Sequence, residues 1–255
     1  MGKIKYLLKF GEKKYLQDLV DNKLYFANAI SFWGIEDKLK IKGQGDRLEA
    51  STMMHAQKVL MQNPDTNEII ASWGTSKGLI RIEPAKRMPV YCLFAVYEDD
   101  CTIDSEGKLH ITLSDEKKKT IREHFPKADG VVIIDNPDQF IEDVKNSIGH
   151  VMKNDEVHYY NIDEGYKTEN SQVAMDMQYM MYVTQDAEPI RENGMVRYTF
   201  YEDYAYRILF CKDLFFEKEQ EYRFILPEEQ IDEGTKYDVK LSSDYGISDI
   251  EDVLG

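Results

Sequence analysis

The run MPVYCLFAVY, residues 88–97, contains no charged side chain. It is too short to cross a bilayer, and its β-branched and aromatic content suits a strand buried on both faces. Such a strand belongs in the middle of a sheet, so this run sets the centre of the fold. Working outward, IKYLLKF (4–10), ending at Gly11, reads as a strand, as do DGVVIID (129–135) and EVHYYNI (156–162). KLYFANAISFW (23–33) reads as extended, and KYDVKL (236–241) as a last strand before the acidic tail ISDIEDVLG (247–255), which is expected to fray. EIIASW (68–73) and GLIRIE (78–83) flank GTSK, which predicts a hairpin.

Four helices are expected between these strands. KKYLQDLVDN (13–22) places Tyr15, Leu16, Leu19 and Val20 at helical spacing. In GDRLEASTMMHAQKVLM (45–61), Asp46 followed three residues later by Glu49 matches a capping box. SDEKKKTIREHF (114–125) is charged and amphipathic, and in NPDQFIEDVKNSI (136–148) Asn136 caps, Pro137 takes the first position, and Phe140, Val144 and Ile148 form the buried stripe. GIEDKLKIKGQ (34–44) and DEGYKTENSQ (163–172) are polar loops, and YEDYAYRILF (201–210) suits helix or strand. In VAMDMQYMMYV (173–183), Val173, Met175, Met177, Tyr179, Met181 and Val183 fall at period two and predict a strand. The result is an α+β chain: a mixed, largely antiparallel sheet of roughly seven to nine strands with roughly three or four helices. With no linker-like segment it forms one domain over residues 1–255, with the acidic tail from about residue 246.

The net charge of −15 disfavours a phosphate-tracking surface, although a local basic patch can coexist with an acidic whole. Lys3, Lys5 and Lys9 alternate along the first strand and are expected on a solvated face. Three cysteines, Cys92, Cys101 and Cys211, are too few and too widely spaced for a disulfide framework or a CxxC metal site. Five scattered histidines offer no HExxH or HxH pair, so no metal is expected. The cysteine usage points to a reducing, cytoplasmic setting, and the absence of a long apolar run to a chain without a membrane partner. Phosphate loops, dinucleotide fingerprints, nucleophile elbows and zinc-deaminase signatures are all missing.

The sharpest remaining feature is FFEKEQEYRFIL, residues 215–226. As a strand it sets Glu219, Glu221 and Arg223 on one face and Tyr222, Phe224 and Leu226 on the other. Those charges are either solvated and paired with neighbours, as on a one-sided sheet, or they work in a site.

The strand with Lys9, the LYFANAISFW segment, and the late pattern of Phe210, Lys212, Phe216, Glu219, Glu221, Tyr222 and Arg223 resemble a large, mostly uncharacterised family of bacteria and phages. The resemblance runs from Tyr6 to Leu226; SFWGIED and QGDRLEA stand where that family carries an asparagine-aspartate-proline-phenylalanine motif. The order of elements also resembles, remotely, the ADP-ribosyltransferases. That resemblance implies NAD as the substrate, with Lys9 holding it, Ser31 with Tyr25 or Phe32 against the nicotinamide, Glu221 catalytic, Glu219 orienting an acceptor, and Arg223 supporting Glu221. A carboxylate beside the ribose would stabilise the oxocarbenium character that develops when the nicotinamide–ribose bond breaks. The acceptor would be a protein or, less favoured by the charge, a nucleic acid. The alternative is a non-enzymatic interaction or phage-defence module that uses the acidic surface and the aromatic LYFANAISFW segment to bind a protein.

Overall fold

Val90–Tyr97 is a strand with hydrogen-bonded neighbours on both sides, the third of six in an antiparallel sheet. The computed structural model describes residues 2–39, 43, 45–149, 151–169, 172–185, 190–192, 195–197 and 202–255. In chain order, β1 (Ile4–Gly11) leads through α1 (Lys13–Val20) to β2 (Lys23–Phe26) and α2 (Ala29–Leu39). A long ribbon follows, with β3 (Ser51–Ala56) and β4 (Val59–Gln62) outbound and β5 (Ile69–Trp73) and β6 (Ser76–Arg81) returning. Then come β7 (Val90–Tyr97), the small pair β8 (Cys101–Ile103) and β9 (Leu109–Ile111), α3 (Asp115–His124), β10 (Gly130–Ile134) and α4 (Pro137–Ile148). The second half carries β11 (Lys153–Glu156), β12 (His158–Tyr160), the pair β13 (Tyr166–Lys167) and β14 (Val173–Ala174), α5 (Met177–Val183), and the pair β15 (Ile190–Glu192) and β16 (Met195–Arg197). It ends with β17 (Cys211–Asp213), β18 (Glu221–Ile225), β19 (Thr235–Asp238), β20 (Ile247–Asp249) and α6 (Glu251–Leu254).

The central sheet has the order β11-β18-β7-β1-β10-β20. The α+β class expected from sequence is present, but the main sheet holds six strands and the others form two-stranded pairs. One sheet face carries Leu7, Tyr91, Leu93, Phe224 and Val132 under α1 and α4, while the other carries Leu8, Phe94, Val96 and Val131 on one side and Val90 and Ile225 on the other. Burial on both faces explains the uninterrupted apolar run of β7. Helices α3 and α4 start where their caps put them: Ser114 Oγ accepts from Lys117 N, Asn136 Oδ1 accepts from Gln139 N, and Pro137 needs no partner for its nitrogen.

Several expectations are corrected. Residues 45–61 form turns and then strands: Ala50 adopts φ 51°, which stops a helix, and β3 begins at Ser51. The expected hairpin across GTSK is replaced by a nested one, in which β5 pairs with β4 and β6 with β3. Residues 173–183 are mostly helical, because Asp176 Oδ1 accepts from Gln178 N and Tyr179 N and starts a turn that alternation does not register. Tyr179 and Val183, four residues apart, are the buried pair, while Met177 and Met181 are exposed. KLYFANAISFW is a strand only to Phe26; Asn28 Oδ1 then accepts from Ser31 N and Ser31 Oγ at the head of α2. That helix also takes in Gly34–Leu39 of the expected polar loop, whose residues 40–42 and 44 lie outside the described residues. Of YEDYAYRILF, Glu202–Phe210 is 3-10 helix, and residue 201 lies outside the described residues.

The acidic tail does not fray. Strand β20 pairs with β10, Ile250, Val253 and Leu254 are buried, and Arg122 grips Glu251 with two bonds of 2.6 Å. Cys92, Cys101 and Cys211 are free thiols. A reducing agent is therefore expected to leave the melting temperature unchanged in a thermal melt, and a marked drop would contradict this assignment. Among the described residues, no helix is long and apolar enough to cross a membrane.

Candidate functional site

The sheet splits beside β7. Strands β1 and β7 pair as far as Leu8 and Phe94, after which β1 continues against β10 alone and the first half of β7 continues against β18, with Ala27 bridging only to Val90 on its other side. Lys9 bridges the gap: its Nζ donates to Cys92 O at 2.6 Å and sits 4.2 Å from the Tyr91 ring centre. Lys9 is therefore not on a solvated face, and burial pushes its pKa down. The neighbouring Lys5 does reach the surface, where it pairs with Glu98 at 3.1 Å.

Two cavities flank the split. One, of about 130 Å³, is lined by Lys9, Phe32, Asp46, Glu219, Glu221 and Arg223, with aromatic walls from Phe10, Phe94, Phe125 and Phe216. The other, of about 510 Å³, shares Lys9 and Phe10 and adds Tyr25 and Tyr91. Six of the seven residues singled out from sequence thus line one cavity or the other. Ser31 lines neither; it lies in the first turn of α2 and gives its hydroxyl to Asn28.

The three charges of FFEKEQEYRFIL do converge, but not as one strand face. Glu219 ends a 3-10 turn, Gln220 turns left-handed at φ 41°, and only Glu221 begins the strand. Gln220 is held there by donating from Nε2 to Ala95 O at 2.6 Å and to Asp100 Oδ2 at 3.0 Å. All three charged side chains are buried, so the solvated reading fails.

Their partners complete a network. Arg223 forks onto Glu49, with Nη1 to Oε1 at 2.6 Å and Nη2 to Oε2 at 2.9 Å, and its Nε reaches Glu221 Oε2 at 2.6 Å. Lys212 donates to Glu219 Oε2 at 2.5 Å and to Glu221 Oε1, and packs 4.1 Å from the Phe216 ring centre. His124 Nδ1 meets Glu219 Oε1 at 2.7 Å. Burial alone would raise the pKa of Glu221, but Arg223 and Lys212 outweigh it and hold the carboxyl well below its usual range. Glu219 moves the other way, raised by burial against the opposing pull of Lys212. Asp46 is pushed up to about 7 by burial, again against Lys212.

Sequence reading missed Glu49 as an ion-pair partner, His124, and Asp46 Oδ2, which is buried with no hydrogen-bond partner among the described residues. The capping-box pattern did bring Asp46 and Glu49 into view, but for another reason. Asp46 Oδ1 accepts from Leu48 N at 2.8 Å, as a cap does, whereas Glu49 turns to Arg223, 174 residues away. Among the described residues no group of acids, histidines or cysteines is arranged to hold a metal ion. Comparison with family models, curated proteins and solved structures returns no match.

Proposed function

We propose that the chain is an ADP-ribosyltransferase-like enzyme that cleaves NAD at the nicotinamide–ribose bond, with the reacting end of NAD at the split between β1 and β7. The observation that carries this reading is that Glu219 and Glu221, set on either side of Gln220, turn into one small cavity that Lys9 and Phe32 also line. A carboxylate held ionised in a buried site stabilises developing positive charge far better than one in water. Glu221 is that group. Glu219, with its raised proton affinity, suits a proton-handling or acceptor-orienting role. In the free protein Lys212 ties the two acids together, so a bound substrate would displace Lys212 from Glu221. Ser31 lines neither cavity and gives its proton to Asn28, so this reading does not rely on it.

The test is incubation of the chain with labelled NAD and cell lysate. Wild type is expected to release nicotinamide, and Glu221→Gln to lower the rate by about two to three orders of magnitude. No release and no NAD binding by calorimetry with the folded wild type would sink this reading.

A second reading, a protein-interaction module, is favoured by the β3–β6 ribbon. It exposes Leu60, Met61, Ile69, Ile70 and Trp73 at its outer end, whereas the LYFANAISFW segment once expected to dock partners buries Leu24, Phe26 and Trp33. Replacing Ile69 and Ile70 by lysine separates the two. Nicotinamide release is expected to survive if the function lies in the cavity.

A further inference from the structure

The β3–β6 ribbon is anchored to the body at its root. Ser51 and Met53 are buried there, Gln57 Nε2 donates to Val173 O at 3.0 Å, and Lys77 Nζ donates to Asp163 O at 2.9 Å. Among the described residues its four strands pair only with one another, two by two. A two-stranded ribbon without packing is marginally stable at best in water. Yet eight of the nineteen large apolar side chains exposed among the described residues lie between Met54 and Ile80, about a tenth of the chain. They occupy both faces: Leu60 and Met61 are consecutive in β4, as Leu79 and Ile80 are in β6, and consecutive strand residues point opposite ways.

Edges, charge and area together narrow what covers it. Neither Val59–Gln62 nor Ile69–Trp73 contains a charged residue or a proline, the usual guards of an edge strand. A register shift between Met61 and Gln62 bends the ribbon, yet Met61 stays 52% exposed. Residues 51–81 carry Lys58, Lys77 and Arg81 against Asp65 and Glu68, a net +1, so the rest of the chain carries −16. That is too little positive charge to track nucleic acid or an anionic membrane. Laid on an acidic body like its own, however, the ribbon meets opposite charge, whereas two bodies face to face repel. Full burial of one such side chain removes about 60–120 Å² of apolar area, so eight that are near half-exposed offer roughly 250–500 Å² per copy. The apolar share of one side of a standard interface is about 450 Å², so the ribbon alone reaches the scale of a stable pair.

We propose that the ribbon is a dimerisation arm whose partner is a second copy of this chain, the two arms crossing about a two-fold axis. Two apolar faces have to be covered, which a single flat surface cannot do. A second arm and the acidic body behind it supply both. In a two-fold contact the same patch is used by each copy, so the pair closes and no third copy adds. The inference rests on the interaction reading given above and names its partner, and it stands whether or not the cavity cleaves NAD.

The test is sedimentation velocity of the whole chain from about 0.1 to about 100 μM, with tryptophan emission read over the same range. Wild type is expected to move from one copy to two and to go no further. Trp33 is 8% exposed and Trp73 50%, so emission should shift to the blue as copies associate, and Trp73→Phe should remove that shift. Ile69→Lys combined with Ile70→Lys should weaken association by about 100-fold or more while leaving the melting temperature near that of wild type, since both side chains are exposed. Ile69→Val with Ile70→Val should keep the pair. Wild type monomeric at the highest concentration, growth beyond two copies, or an unchanged pair in the folded lysine variant would each overturn the proposal. A monomer that captures a different protein through the ribbon would also overturn it, while leaving the broader interaction reading in place.

Discussion

Replacing Arg223 by methionine is expected to remove about 3–5 kcal/mol of folding stability, the usual result when one partner of a buried ion pair is deleted. Arg223 is 1% exposed and supplies the only cation that touches Glu49 among the described residues, through a two-bond fork. It also satisfies Glu221 Oε2 and Leu209 O, so its loss leaves four buried acceptor oxygens short of a donor. Domains of this kind are stable by roughly 5–15 kcal/mol in all, so the variant should unfold at a markedly lower urea concentration. Changing Glu49 to methionine in the same chain should recover part of the loss, because the orphaned carboxylate goes with it. A midpoint within error of wild type would show that the network contributes nothing. Arg223 holds Glu221 through Nε, and its loss is expected to reach activity through the fold as well, so any turnover measured in the variant has to be normalised to folded protein.

How far the sequence could be read follows from which interactions are local. The strands around MPVYCLFAVY and the helices with Ser114 and Asn136 caps were legible because run length, periodicity and cap chemistry all act within a few residues. Residues 173–183 were misread because methionine is apolar at every position it fills. The informative signal was the Asp176 cap together with Tyr179 and Val183 four apart. The 45–61 segment deceived in the opposite way, with a real cap at Asp46 and no helix behind it, since Ala50 turns left-handed and the ribbon begins.

At the candidate site, alternation drew attention to Glu219, Glu221 and Arg223, although Glu219 precedes the strand and the three do not share one strand face. What decides their state lies elsewhere in the chain. Glu49 and His124 reach the cluster from the turn before β3 and from the end of α3, and no short-range pattern encodes either meeting. Lys9 was noticed as a basic residue, but the split that buries it depends on where β1 and β7 stop pairing.

Asp46→Asn is expected to stabilise the protein at pH 8, although the residue caps a turn. The ordinary carboxyl value of 3.8 rises to about 7 in the folded chain. Below the lower value both states are protonated and Asp46 imposes no penalty. Between the two values the unfolded chain ionises while the folded one keeps its proton, so stability falls as pH rises; above the upper value the loss is complete and constant. About three pH units at about 1.4 kcal/mol each set an upper limit of roughly 4 kcal/mol. Glu221 acts in the opposite sense. Its carboxyl is held well below the usual range, so its contribution is present above the unfolded value and lost as pH falls through the folded one. Asparagine keeps an oxygen for Leu48 N and carries no charge, so the variant should gain about 1–4 kcal/mol over wild type at pH 8 and little at pH 4, read from urea unfolding at both pH values. Alanine would add back about 0.5–2 kcal/mol of cap loss at either pH. Asparagine less stable than wild type at pH 8 would mean that Asp46 is a cap and nothing more. A gain confined to high pH would mean that wild type retains a carboxyl that costs it stability when no ligand is bound, as a residue kept for the cavity and not for the fold should do.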